Sequence, residues 1–417
     1  MSDCLFINSR IATLRGERSD SLKPRRGADL CDLAVIPHGY VLVQNGRIAQ
    51  VGQGKPKSVD PATVVIDANG RLLTPGFVDC HTHACWAGDR LDEWDLKMAG
   101  KSYLEILAAG GGIMSTVRSV RATATQELAD GILRRGREMA AYGTTTVEVK
   151  SGYGLDTTTE LRMLEAIAIA TRTSPIRVTA TFLGAHAIDP LQSDAVRRMI
   201  DETLPEVVRE YPGICVDAYC ERGSWSVEEC MRYFKKAISL GCPIRVHADQ
   251  FNSLGMVSAA VGLKAVSVDH LEATTDGDLE LLAKSSTIAV GLPASSFCLG
   301  TQCIRAREFI DRGGALALAT NANPGSAPVR AIPIVIAFAV RELKLSPAEA
   351  LTAVTYNAAC VLGLAEECGS IDTGKSADLA LWPCQDERAL GYELSGSLPD
   401  LVMARGVIVR GDFSTVR

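Results

Sequence analysis

Two histidines one residue apart, His81 and His83, close the short apolar run in Thr74-Pro75-Gly76-Phe77-Val78-Asp79-Cys80-His81-Thr82-His83. In an extended backbone alternate side chains point the same way, so the two imidazoles share one side and Thr82 takes the other. That arrangement suits a metal ion. A pair of ordinary polar residues closing a strand is the competing reading, and the positions of the other histidines decide between the two.

The elements that must carry these side chains follow from alternating patterns. Eight β-rich runs, at 77–80, 145–150, 177–183, 215–221, 244–248, 266–270, 287–292 and 316–320, alternate with helical periodicity that is clearest over 159–171 and 226–240. The alternation predicts parallel strands with crossover helices. Eight units predict a (β/α)8 barrel, an α/β fold. An open doubly wound sheet usually carries a glycine-rich phosphate loop after its first strand, and none stands here.

In a barrel, catalytic groups sit at the C-terminal ends of the strands. His81 and His83 end the first run, Lys150-Ser151-Gly152-Tyr153 the second, and Gly184-Ala185-His186 follows the third. Glu221 ends the fourth, His247-Ala248-Asp249-Gln250 the fifth and Asp269-His270 the sixth, while Asn321-Ala322-Asn323-Pro324-Gly325-Ser326 follows the eighth. Five of the six histidines therefore gather at one rim, with only His38 outside it. Converging imidazoles with an open coordination position suit zinc or ferrous iron and a bound water made acidic enough to attack at neutral pH. The chemistry is hydrolysis. His81, His83 and His247 are the expected ligands, and His270, beside Asp269, is a candidate acid or base held in one tautomer by a carboxylate.

Strand and turn signals also mark both chain ends. Residues 40–43, Asn45-Gly46 and 47–52 read as a hairpin, the dipeptide supplying the positive φ angles of a tight turn. Residues 64–73 repeat that pattern, and 369–382 and 402–409 look alike in kind. Two-stranded ribbons are marginal alone, so the two ends are expected to share one small β-sandwich domain, 1–74 with 370–417, beside a catalytic barrel of 75–369.

A net charge of -6 without a long basic run argues against nucleic acid as a partner. The longest apolar run, 331–340, contains Pro333 and is about half the length of a membrane span, so it is expected to be a core helix. The first residues carry no secretory pattern, which predicts a cytoplasmic location. Thirteen cysteines without a Cys-x-x-Cys pair suit a reducing compartment, with Cys80 and Cys85 as packing residues.

Pro75-Gly76-Phe77-Val78-Asp79-Cys80-His81-Thr82-His83 resembles the signature that opens the barrel of the amidohydrolase superfamily. Further stretches narrow the likeness. Tyr103-Leu104-Glu105-Ile106-Leu107-Ala108-Ala109-Gly110-Gly111-Gly112-Ile113, the segment from Thr144 to Leu155, Gly184-Ala185-His186-Ala187, His247-Ala248-Asp249-Gln250 and Asn323-Pro324-Gly325-Ser326 resemble the imidazolonepropionase family over nearly the whole chain. The resemblance implies hydrolysis of 4-imidazolone-5-propanoate to N-formimino-L-glutamate in histidine degradation. It implies one divalent metal, zinc or iron, on His81, His83, His247 and the position of Asn321, with His270 and Gln250 at the reacting atoms. It also implies a pocket for a carboxylate-bearing heterocycle from Arg90, Tyr153, His186, Gln250, Asn323, Gly325 and Ser326, and a homodimer. A guanidinium such as Arg90 suits a propionate, although a surface ion pair and a packed tyrosine are the plainer readings of Arg90 and Tyr153.

One position departs from the family. Asn321 stands where the family carries the aspartate of Asp-x-Asn-Pro-Gly. An amide is neutral and non-basic, so metal affinity is expected to fall, and neither Asn321 nor Gln250 can take a proton. Three explanations follow: an ordinary imidazolonepropionase with a replacement introduced at 321, a desulfhydrase acting on the thioxo analogue 3-(5-oxo-2-thioxoimidazolidin-4-yl)propionate of ergothioneine breakdown, or a non-catalytic binder of such ligands. In the second, hydrosulfide leaves easily and Asp249, Asp269 or His270 supplies the base.

Overall fold

The computed structural model describes residues 3–16, 22–101, 105, 111–394 and 398–411, so most of the stretch 102–110 quoted above lies outside the described residues. Five strands precede the barrel: β1 (Cys4–Ala12), β2 (Val35–Gln44), β3 (Arg47–Gln53), β4 (Val64–Asp67) and β5 (Leu72–Pro75). Asn45 and Gly46, at φ 51° and 77°, make the expected turn between β2 and β3. The second hairpin expected over 64–73 does not form. β4 and β5 instead lie end to end along β1, both parallel to it, and Asn69-Gly70 bends the chain from one to the other. The reason is that nine-residue β1 is covered by β2 on one edge and offers its whole other edge to these two short strands.

The eight barrel strands fall within two residues of their expected limits: β6 (Phe77–Asp79), β7 (Thr144–Lys150), β8 (Arg177–Ala185), β9 (Cys215–Cys220), β10 (Arg245–Ala248), β11 (Ser267–His270), β12 (Ile288–Gly291) and β13 (Leu316–Leu318). Each pairs in parallel with the next. Helices between them are set by local caps: Asp156 accepts from Thr159 N at the start of Thr157–Thr173, and Ser226 and Glu229 cap Val227–Ser239 reciprocally. Each such cap contributes about 1 kcal/mol. The apolar run near 331–340 is the mostly buried helix Ile332–Arg341, and among the described residues no helix is long and apolar enough to cross a membrane.

After the barrel come β14 (Leu379–Trp382), β15 (Leu401–Ala404) and β16 (Val407–Arg410). β14 pairs antiparallel with β5, which joins both chain ends into one sheet of order β16-β15-β14-β5-β1-β2-β3. Alternation decides what each face touches. Leu73, Leu379 and Leu381 join Phe6, Val41 and Met403 in the sheet's own core, whereas Leu72 and Trp382 turn to the barrel. The Trp382 ring packs 5.2 Å from that of Phe77 and its indole donates to Thr74 Oγ1 at 2.9 Å. Gly143 permits that approach, because a Cβ there would come within 3.0 Å of the indole. All thirteen cysteines are free; Cys80 and Cys85 are buried, and burial pushes the Cys85 thiol up to about 12.

Candidate functional site

Backbone hydrogen bonds that close the barrel also fix the histidine pair. Asn321 N donates to His81 O at 3.0 Å and His83 N donates to Ala322 O at 2.9 Å, sealing the first strand to the segment that follows the eighth. On the opposite edge Lys150 N donates to Thr82 O at 3.0 Å. Thr82 is pinned further by Glu148: its N–H donates to Oε2 at 3.0 Å and its hydroxyl to the Glu148 carbonyl at 2.5 Å. The residue between the two histidines is therefore held on three sides.

The imidazoles of His81, His83 and His247 converge. Ring centroids of His81 and His247 lie 4.5 Å apart, and each is 5.4 Å from His83. One potential ligand atom from each of the three lies within 4.8 Å of the others. His81 Nδ1 lies 2.6 Å from Asp269 Oδ2 and His247 Nδ1 lies 3.2 Å from Asp217 Oδ1. Carboxylates hold the proton on Nδ1, which leaves each Nε2 lone pair free for a cation. His81 Nε2, His83 Nδ1 and Asn321 Oδ1 are buried without a protein partner, the pattern expected where an ion completes the bonding. Burial, more than any neighbouring charge, holds all three imidazoles below the ordinary histidine range, so they are neutral as ligation requires. The donor set fits a divalent cation.

Beneath the imidazoles lies an ionic network with no water access. Lys150 Nζ contacts Glu148 Oε1 at 2.6 Å and Asp217 Oδ2 at 2.8 Å. Arg245 reaches Glu148 Oε1 at 3.1 Å, Asp269 Oδ2 at 2.6 Å and the carbonyl of Cys80 at 2.9 Å. All five charged side chains are at most 1% exposed. Burial pulls the Lys150 ammonium down, but Asp217 and Glu148 outweigh it and keep the group charged. Two cations face three carboxylates, so the network carries a net negative charge. Asp217 and Asp269 each sit one imidazole away from the candidate metal position, so the network can offset part of an ion's charge there. Sequence reasoning noted Asp269 but missed Glu148, Asp217 and Arg245. Their signal was present as charged or polar residues at alternate positions of otherwise apolar strands, Glu148 with Lys150, Arg245 with His247, Ser267 with Asp269.

The remaining rim residues differ in how committed they are. His270, at φ 83°, lies with its ring 5.5 Å from that of His247 and 6.0 Å from that of His81, and its Nδ1 meets Glu272 Oε1 at 3.1 Å. His186 stacks on His83 at 5.0 Å and donates from Nδ1 to Gly152 O at 2.9 Å; burial pushes it down to about 3. Buried Tyr153 lies against both, 6.0 Å from His83 and 5.2 Å from His186. Gln250 is half-buried. Asn323 spends its amide inside its own loop: Oδ1 accepts from Gly325 N at 2.8 Å and Ser326 N at 2.7 Å, and Nδ2 donates to Asn321 O at 2.7 Å and Ser326 Oγ at 3.0 Å. Its visible task is to shape the loop that carries Asn321.

Arg90 packs its guanidinium against Gly325, donates to Thr116 Oγ1 at 3.1 Å and is gripped by Glu93 at 2.5 and 2.6 Å. Glu93 occupies the Nε edge, so the fork retains Nη hydrogens for another anion. The ion-pair reading of Arg90 and the pocket reading are therefore compatible.

Comparisons with known proteins agree with this geometry. The Amidohydrolase family profile matches residues 72–409. Imidazolonepropionase of Herpetosiphon aurantiacus is 46% identical over 400 residues, 93% of each chain, and that of Symbiobacterium thermophilum is 42% identical over 397 residues, again 93% of each. Among solved structures, 5-methylcytosine deaminase of Klebsiella pneumoniae liganded with 5-fluorocytosine superimposes with a TM-score of 0.73 at 16% identity, covering 98% of this chain and 97% of that one. E. coli guanine deaminase gives 0.73 at 16% identity, covering 99% and 100%. At such identities these two structures speak for the fold alone.

Proposed function

The chain belongs to the amidohydrolase family and, within it, to the imidazolonepropionases, and from that premise we propose that it hydrolyses the ring of 4-imidazolone-5-propanoate to N-formimino-L-glutamate in histidine degradation. The observation that carries the reading is the buried trio His81, His83 and His247, one potential ligand atom of each lying within 4.8 Å of the others at the C-terminal rim. The three imidazoles and Asn321 Oδ1 would hold one divalent metal, zinc or ferrous iron, both of which imidazole suits. When bound, the ion supplies Lewis acidity toward a water molecule and toward the ring carbonyl.

The chain's own residues supply the proton traffic. Glu272, which also accepts from Ser296 Oγ at 3.2 Å, orients His270 so that Nε2 is the basic atom. His270 takes the proton of the attacking water, the ring amide C–N bond breaks, and the same proton passes to the departing nitrogen. Of the other two candidate bases, Asp269 already accepts from His81, Arg245 and Ser267, whereas Asp249, whose carboxyl burial pushes up to about 6, keeps Oδ2 without a hydrogen bond and is the alternative base. Gln250, His186 and Tyr153 are the groups proposed to hydrogen-bond the ring. His270→Gln keeps the ring's size class but removes the base, and is expected to lower kcat by about 10²- to 10⁴-fold with KM little changed. A loss under threefold would move the base elsewhere.

Arg90, with Ser326 and Gly325 beside it, is proposed to receive the propionate. Arg90→Ala should raise KM for the carboxylate substrate by roughly 10- to 100-fold while a primary-amide analogue changes little. Equal weakening of both would take Arg90 out of the pocket.

Asn321 favours one second reading, turnover of the thioxo analogue, in which sulfide is the leaving group and less activation of water suffices. A paired assay of the metal-loaded protein on the oxo and thioxo propionates separates them. Ring opening of the oxo compound with the higher kcat/KM supports the first reading; sulfide release with the higher value replaces it. Saturable binding of both without turnover leaves a binder.

A further inference from the structure

At the end of the barrel remote from the histidines, a cavity of about 230 Å³ lies among two hairpin turns and the start of β8. From Arg177, which opens that strand, to Ala185 at the catalytic rim is about 26 Å of extended chain. The turns Asn45-Gly46 and Arg405-Gly406 come from opposite ends of the sequence, and all four residues hold positive φ. They approach so closely that a Cβ on Gly406 would lie 2.3 Å from Gly46 Cα.

Three guanidinium groups line this cavity. Arg47 donates to Gly374 O at 2.8 Å and contacts half-exposed Glu367 at 3.3 Å. Among the described residues Arg405 donates through Nη2, to the carbonyls of Ser174 and Pro175 at 2.7 and 3.3 Å. Arg177 makes a long contact of 3.7 Å with Asp378, and its Nε is buried with no partner. Each guanidinium carries five N–H donors, so most of the donors around the cavity are unspent. Three positive charges face Glu367 and Asp378, and Asp378 already accepts from the backbone N–H of Arg405. Unspent guanidinium donors that converge on one open space, with the Arg177 Nε buried beside it, mark a place suited to an anion.

We propose that this cavity is a second, non-catalytic site for a small oxyanion of the phosphate class, free or carried on a small metabolite. Its occupant would tie the first hairpin, the last hairpin and the barrel together. Binding should therefore stabilise the whole chain.

The test titrates inorganic phosphate into the metal-loaded protein, with chloride at matched ionic strength as reference, and follows Tm and binding heat. The expected result is a saturable Tm rise of about 2 °C in the unmodified protein and in His83→Ala, with binding at least tenfold weaker in Arg177→Gln and Arg47→Gln while both keep their basal turnover. Glycerol 3-phosphate distinguishes the sources: tighter binding than phosphate assigns a phosphorylated metabolite, weaker binding the free ion. No saturable rise, or a rise that persists in both arginine variants and vanishes in His83→Ala, overturns the proposal.

Discussion

Changing Asn321 to aspartate is expected to raise kcat on imidazolone propionate by about 10²-fold or more and to tighten metal binding. The backbone accepts the change: Asn321 sits at φ 55°, a conformation that asparagine and aspartate both adopt, and its N–H bond to His81 O is untouched. What changes is one atom. Asn321 Oδ1 is buried and has no protein partner, so a carboxylate there would be a desolvated charge until a cation meets it. The variant should accordingly melt below the unmodified protein after chelation and above it with metal bound. Kinetics on both ring substrates and paired melts with and without metal check this. Should turnover stay flat or fall while metal binding tightens, position 321 would be a ligand position with no share in proton transfer, and the asparagine would be the working residue of this enzyme.

Asp269→Asn carries the second large effect. Asp269 accepts three bonds of 2.6 Å, from His81 Nδ1, Arg245 Nη2 and Ser267 Oγ, in a fully buried setting. An amide has one oxygen for those donors and turns an N–H toward another of them. Metal affinity is expected to fall by about 10- to 100-fold, because the His81 tautomer and orientation are no longer fixed. Stability should fall by about 3 to 5 kcal/mol, because Arg245 loses a buried counter-charge. Chelator competition measured well below the melting temperature separates the two effects. Ser267→Ala is the control: it removes one bond to Asp269 without touching His81 and should lower Tm while leaving metal affinity unchanged. Equal affinities in all three proteins would reduce Asp269 to a purely structural residue.

Much of this architecture was readable along the chain because barrel strands and helices declare themselves through periods of 2 and 3.6. Strands β6 to β13 lie where the apolar runs stand, and Ser226 and Glu229 announce their helix by type and spacing alone. The misread segment, 64–73, shows the limit. Its turn residues and alternation are those of a hairpin, yet its pairing partner is β1, some sixty residues earlier, and the free edge of β1 is a fact of the assembled sheet.

The site divides in the same way. Residue types and strand-end positions were enough to bring His81, His83 and His247 to one rim, since side-chain direction in a strand follows from parity, and it was the family resemblance that marked Asn321 as the odd member. The sequence by itself therefore determined the fold and the gathering of histidines at one rim. Only the tertiary structure decided which carboxylate serves which histidine, Asp269 for His81 and Asp217 for His247, and that Lys150 and Arg245 are locked between carboxylates beneath them. The physical reason is that the interior of a closed barrel brings together side chains from strands distant in sequence, and burial makes each charge depend on the partner it meets there.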